Sequence, residues 1–374
     1  MHYHTIIIGA GSMGMPTSYF SAKNGHKTLL IDTYKPPHTF GTHHGDTRII
    51  RYAYGEGTQY VPLALRAATL FKEAEHLTKR KLLEEVGVLN IGKEDTDFMQ
   101  NVFKSAERFQ LPIEKLSTSD IEKRWTGINL VHNEIGAYEP NAGFLHVEEC
   151  IRAYKDLAAQ EGAVFAFNEK VISITEKDAH VEIKTHKSCY TADHLIVTAG
   201  AFVKELMSSI HLPLPVTILR KTFAWYESDE RFSEQNFPCF SFELENATYY
   251  GFPSVNGTGL KIGRHDGGAI IDPNQDRDDF NLSDQEELDE FLQEYMPSIQ
   301  NLKFGKTCMY DMTPDEDFII DYFPGNDRIV LASGFSGHGF KFASTIGELL
   351  VDMTNKKDIN FDLSLFSLER FKNS

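Results

Sequence analysis

A strand, a glycine-rich turn, a helix and a second strand ending in an acid open the chain, and that order restricts the fold more than any other feature. Residues 4–8 read as a short apolar strand, followed at once by Gly9-Ala10-Gly11-Ser12-Met13-Gly14. A helix-like stretch runs to about Asn24, Gly25 turns the chain, and residues 27–31 read as a strand ending at Asp32. Gly9 permits the tight turn, Gly11 lets the backbone approach a pyrophosphate, and Gly14 lets the helix pack on the strand. The pyrophosphate would rest on the N–H groups at the start of that helix. Asp32 lies 18 residues after Gly14, close to the spacing of an acid that accepts from a ribose hydroxyl. A glycine pattern alone is weak, but these parts in this order predict a dinucleotide site. An acid at position 32 favours a free 2′-hydroxyl, hence FAD or NAD over NADP.

With 374 residues the chain has room for two domains at roughly 150 residues each. Residues 195–201 and 329–332 read as further buried strands, the second leading into Ser333-Gly334-Phe335-Ser336-Gly337-His338-Gly339 and a helix. Residues 223–226 and 248–264 are aromatic and β-rich with Gly and Pro punctuation, as in a separate antiparallel sheet. The expected plan is a discontinuous nucleotide-binding domain (1–80, 145–215 and 305–374) interrupted by a substrate domain (81–144 and 216–304). A net charge of −17 argues against binding a phosphate backbone, which needs a basic face. The N-terminus lacks a secretory leader, and no apolar run approaches the roughly 20 residues that span a bilayer. A cytoplasmic protein without nucleic-acid or membrane partners is expected. Cys150, Cys189, Cys239 and Cys308 are too scattered for a zinc site or a disulfide framework, and each reads as a small buried hydrophobe; no metal is expected.

Three segments concentrate polar chemistry. In Gly41-Thr42-His43-His44-Gly45-Asp46-Thr47-Arg48-Ile49-Ile50-Arg51, the two arginines are three apart and would share one side of a helical turn. They read either as solvated surface cations or as one arginine against a cofactor and one clamping a carboxylate. Around Tyr249-Tyr250-Gly251-Phe252-Pro253 and Lys261-Ile262-Gly263-Arg264-His265, strand alternation puts Lys261, Gly263 and His265 on one face. That face is either solvated or a cationic floor beneath a cofactor. In the third, Cys308-Met309-Tyr310 precedes the glycine-rich 336–341 segment, whose glycines bring backbone N–H groups to an electron-rich ligand edge.

Taken with the N-terminal IIIGAGSMG, the segments KPPHTFGTHHGDTRIIRYAYGEGTQYVPLALRA, YYGFPS, LKIGRH, CMY and SGFSGHGFKFAS resemble the monomeric sarcosine oxidase and N-methyltryptophan oxidase family over essentially the whole chain. The resemblance implies an α/β fold: a Rossmann-like FAD-binding domain with a second α+β substrate domain built on an antiparallel sheet. It implies a monomeric oxidase that acts on an N-methyl amino acid with dioxygen, with FAD joined covalently to Cys308. Arg51 and Lys341 would bind the substrate carboxylate, while Thr47 and Arg48 would lie against the flavin. Tyr250 and His265 would contact the substrate from the opposite face, Tyr310 and Ser241 would line the pocket, and Lys261 would serve oxygen. The cofactor set is Gly9, Gly11, Ser12, Met13, Gly14, Asp32, His43, His44, Arg48, Val171, Gly200, Cys308, Gly337, Gly339, Phe340 and Lys341. The Thr313-Pro314-Asp315-Glu316-Asp317-Phe318 segment, which lacks the histidine usual in sarcosine oxidases, and the small Ser241 favour N-methyl-L-tryptophan over sarcosine. A flavin dehydrogenase that passes electrons to another carrier is the alternative.

Overall fold

The computed structural model describes residues 1–275 and 277–372. Its first sheet is built around His2–Ile8, which pairs in parallel with Thr28–Asp32 on one side and Cys189–Val197 on the other. Asn326–Ser333 continues the parallel set beyond Cys189–Val197, and Val164–Phe167 extends it beyond Thr28–Asp32. Parallel neighbours need a crossover, and the helix Gly14–Lys23 supplies the first one. Residues 14–22 of that helix are all buried, because the helices Val147–Gln160 and Ala343–Thr354 pack on it. Pro16 and Gly347 are in such close approach that a Cβ on Gly347 would lie 2.7 Å from Pro16 Cβ.

The second sheet runs in the order Ala269–Ile270, Thr217–Tyr226, Leu260–Arg264, Thr248–Phe252, Cys239–Glu243, Val88–Gly92, Ile135–Glu139 and Glu114–Leu116. Leu302–Met312 pairs antiparallel along Thr217–Tyr226. The sheet is antiparallel as expected except at one place, where Cys239–Glu243 runs parallel to Val88–Gly92. The long chain between those two strands makes the crossover possible. The expected domain break between 304 and 305 falls inside Leu302–Met312, an unbroken strand of 11 residues.

A small third sheet joins Thr47–Ile50, Gly143–His146 and Leu83–Glu84. Here the helical reading of the Arg48–Arg51 spacing is corrected: Thr47–Ile50 is a strand, in keeping with its β-branched Thr47, Ile49 and Ile50. Arg51 follows the strand directly, so helical spacing does not set how the two arginines are placed. The cysteine reading is corrected once as well. Cys150, Cys239 and Cys308 are buried, but Cys189 begins the strand Cys189–Val197 and is exposed. Among the described residues no helix is long and apolar enough to cross a membrane.

Candidate active site

The glycine turn opens onto a cavity of about 260 Å³. Its three glycines are required for different reasons. Gly9 has φ +100°, and a Cβ there would lie 2.3 Å from the Thr198 carbonyl oxygen. A Cβ on Gly14 would lie 1.8 Å from the Gly9 carbonyl oxygen, so both positions are set by protein packing. Gly11 is different: a Cβ there would meet nothing nearer than His43 Nδ1 at 3.4 Å, and Gly11 faces the cavity. The missing side chain therefore clears space for a ligand. Asp32 ends the second strand and accepts hydrogen bonds from the backbone N–H of Ala10 (2.6 Å) and Tyr34 (2.7 Å). Burial pushes its carboxyl above the ordinary value, against those two amides. His38 Nε2 lies 3.8 Å from Asp32.

Ser12, Met13, His43, Val171 and Gly200 line the same cavity. His43 Nε2 is buried without a hydrogen-bond partner in the protein, and burial pushes the imidazole down to about 3. A neutral ring with an unfilled polar atom suits a polar ligand. The open space at Gly11, the amide-braced acid and this histidine together fit a dinucleotide such as FAD.

A second cavity of about 200 Å³ is lined by strands of the second sheet, by the strand Thr47–Ile50 and by the turn that follows Asn326–Ser333. It gathers Arg48, Arg51, Ser241, Tyr250, His265, Tyr310, Gly337, Phe340 and Lys341, residues spread over nearly 300 positions of sequence. Arg51 Nη2 donates to both Glu56 carboxylate oxygens, at 2.6 and 2.8 Å. Its Nη1 is buried and has no partner in the protein. Burial alone would raise the Glu56 carboxyl, but Arg51, His338 and Lys341 outweigh it and hold it down to about 2. Lys341 Nζ donates to the His338 carbonyl (2.7 Å) and to Tyr54 Oη (3.2 Å). Burial, reinforced by Arg51, pushes its ammonium down to about 7. Burial and the Lys221 charge lower His265 to about 4, so its imidazole is neutral near neutral pH.

Beneath Arg51, the buried Glu139 at the end of Ile135–Glu139 accepts from the backbone N–H groups of Tyr52 (3.0 Å) and Ala53 (3.2 Å). These bonds fix the segment that carries both Arg51 and Glu56.

Thr47, His44, Lys261, Cys308, Gly14 and Gly339 line neither cavity. Lys261 is 1% exposed and donates to the carbonyls of Gly45 and Thr47 and to the Thr47 hydroxyl. Its ammonium lies over Phe252, Phe223 and Trp225, at 4.6, 4.8 and 5.3 Å from the ring centres. Arg48 braces the same loop, donating to the carbonyls of Thr47 (2.9 Å) and His44 (2.7 Å). Arg48 and Lys261 thus converge on the loop 44–47, and burial and Arg48 push the Lys261 ammonium well below its ordinary value. Cys308 is fully buried with Phe223, Trp225 and Tyr310. Burial pushes its thiol up, and Arg48, Lys221, Lys261 and Arg277 oppose that rise. Gly337 has φ +77°, and a Cβ there would strike the Tyr310 ring at 2.1 Å, so this glycine is required for the turn to reach the cavity.

Sequence reasoning missed Glu56, Glu243, Glu316, His338 and Tyr54. The one local signal was at Glu56, an acid set between two glycines five positions after Arg51. Tyr54 and His338 lie in segments already singled out, beside Arg51 and Gly337, whereas Glu243 and Glu316 are brought to the site by long-range folding.

The family model described as FAD dependent oxidoreductase matches residues 4–353. The chain is 44% identical to monomeric sarcosine oxidase from Bacillus sp. (strain B-0618), covering 99% of this chain and 96% of that one. It is 45% identical to N-methyl-L-tryptophan oxidase from Escherichia coli (strain K12), covering 100% of both. The solved structure of L-proline dehydrogenase from P. horikoshii superposes with a TM-score of 0.87 over 99% of this chain and 98% of that one, at 17% identity, and so shares the fold. A match of this extent, on a chain whose glycine turn and braced acid have the geometry of a dinucleotide cradle, leaves one conclusion. The chain belongs to the FAD dependent oxidoreductase family.

Proposed function

We propose that this protein is an FAD-dependent oxidase of N-methyl amino acids. In the overall reaction the secondary amine loses two electrons and two protons to give an imine, water hydrolyses the imine to the amino acid and formaldehyde, and dioxygen becomes hydrogen peroxide. The observation that carries this reading is Arg51: a buried guanidinium in the second cavity with Nη1 unpartnered and Lys341 on the same wall. Buried cations of this kind bind an anion, and a planar fork suits a carboxylate. Tyr250, Tyr310 and the neutral His265 would flank the amine, the histidine adding no charge to repel it. FAD, when bound, supplies the acceptor for the hydride removed from the N-methyl carbon. Arg48 would place positive charge where negative charge develops, in a site from which water is excluded. Lys261 would serve the step in which oxygen is reduced.

The similarity to the two N-methyl amine oxidases supports the reaction class, and the buried thiol of Cys308 among cations supports its role as the covalent attachment point. N-methyl-L-tryptophan is favoured over sarcosine because Ser241 leaves room on the cavity wall. The enzyme would act as a cytoplasmic monomer. Incubation with either amine under air tests the reading: one formaldehyde and one peroxide should appear for each amine consumed, with N-methyl-L-tryptophan turned over faster. Amine loss without peroxide would point to another electron acceptor.

A further inference from the structure

The strand Leu302–Met312 forms part of the partition between the two cavities. Tyr310 lines the substrate cavity and its neighbour Asp311 lines the nucleotide cavity, as strand alternation requires. The turn after Asn326–Ser333 repeats the division, with Phe335 facing the nucleotide cavity and Gly337 the substrate cavity. Asp311 therefore stands where the nucleotide cavity borders the chemistry. Asp32 belongs to a strand that contributes nothing to the substrate cavity.

Asp311 is 2% exposed, and its Oδ2 accepts from the backbone N–H of Gly334 at 3.0 Å. Burial pushes its carboxyl up to about 6, opposed by the backbone N–H groups of Asp311, Phe335 and Gly334. Among the described residues no cation contributes to that balance. At neutral pH the group is thus largely an ionised, acceptor-only carboxylate, held by these amides and with lone pairs left for a further donor from the cavity it lines.

FAD offers donors in one place between its phosphates and its ring. Asp32 marks the ribose end and Gly11 the clearance for the pyrophosphate, so the polyol chain continues toward the partition. A phosphate would be repelled by Asp311, whereas hydroxyls donate to it. We infer that Asp311 binds the cofactor directly, its carboxylate accepting a hydrogen bond from a ribityl hydroxyl. The inference rests on FAD as the occupant of the nucleotide cavity.

The test measures binding of FAD, and of FAD analogues each lacking one ribityl hydroxyl, to Cys308→Ser protein by flavin fluorescence quenching. At least one analogue should bind about 10- to 150-fold more weakly than FAD, the range of a charge-assisted hydrogen bond. Adding Asp311→Ala should weaken FAD by a similar factor and erase the difference between FAD and that analogue. Asp311→Asn keeps a carbonyl oxygen for the Gly334 N–H and should fold normally while losing most of the discrimination. Discrimination that survives in the Asn variant, or its absence from the parent, would overturn the inference and leave Asp311 as a brace for the 334–337 turn. Purified wild-type protein that binds no flavin at all would instead bring down the FAD reading beneath it.

Discussion

Arg51 gives one guanidinium nitrogen to both oxygens of Glu56 and holds the other, Nη1, buried and unpaired. The pair fixes the guanidinium against an internal anion, with the rings of Tyr54 and Phe98 beside it at 4.5 and 5.2 Å, and leaves one nitrogen without a hydrogen bond. A buried donor left unsatisfied costs on the order of 1–3 kcal/mol, so a ligand carboxylate that fills it recovers that cost.

Arg51→Gln should therefore weaken binding of N-methyl amino acids and of simple carboxylate inhibitors by about 10- to 150-fold, from a charge-assisted bond contributing roughly 1.5–3 kcal/mol. Arg51→Lys should recover only part of the loss, because an ammonium lacks the planar fork. Inhibitor titrations of the flavin spectrum measure both. Amines without a carboxylate should bind poorly to wild type and be nearly indifferent to either change. Equal affinity for decarboxylated amines would remove the clamp from the account.

Lys341 gives the pocket a pH dependence. Its ammonium titrates at about 7 in the folded protein, below its ordinary 10.5, because burial and Arg51 disfavour the charge. Carboxylate binding should be strongest below that value and decline as pH rises through it, since the cation is lost. Lys341→Met should bind weakly at every pH and show no such step. Titration of an inhibitor across the range checks both limbs.

Cys308→Ser should abolish covalent attachment. Wild-type protein precipitated with acid should remain yellow and fluoresce on a denaturing gel, while the serine variant loses that signal. Flavin released freely from wild type would refute the attachment.

Lys261→Met should slow reoxidation of the reduced enzyme by orders of magnitude and change anaerobic reduction by substrate much less. The lysine is buried against Gly45 and Thr47, lines neither cavity, and has its ammonium pushed well below the ordinary value by burial and Arg48. Stopped-flow measurement of the two half-reactions separates them. Equal losses in both would mean that Lys261 also serves amine oxidation.

The glycine turn and its acid were legible because they lie within one continuous segment, whereas Val171, Gly200 and Asp311 reach the same cavity from distant strands and turns. Gly9, Gly11, Gly14 and Asp32 carry their meaning in local spacing; Gly9, Gly11 and Asp32 line the first cavity and Gly14 packs against Gly9. The substrate cavity is a different case. Arg51, Lys341, Tyr250 and His265 were found through motif resemblance, since no periodicity links positions 51 and 341. Glu56 could be seen only as an oddity between glycines, and Glu243 and Glu316 gave no signal, because their placement depends on long-range sheet pairing. The helical reading of the Arg48 and Arg51 spacing was wrong in secondary structure, because the local Thr and Ile residues favour a strand, although both side chains line the same cavity. The Val88–Gly92 and Cys239–Glu243 pairing was hidden for the same physical reason as the acids: strand direction across so long a connection is a tertiary outcome.

The most direct measurement is anaerobic mixing with a panel of N-methyl amino acids, followed by admission of air. The flavin absorbance should bleach with N-methyl-L-tryptophan, or with sarcosine, and return rapidly with stoichiometric peroxide once oxygen enters. Flavin that stays oxidised with every member of the panel, or that bleaches but is not reoxidised by oxygen, would contradict an N-methyl amino acid oxidase.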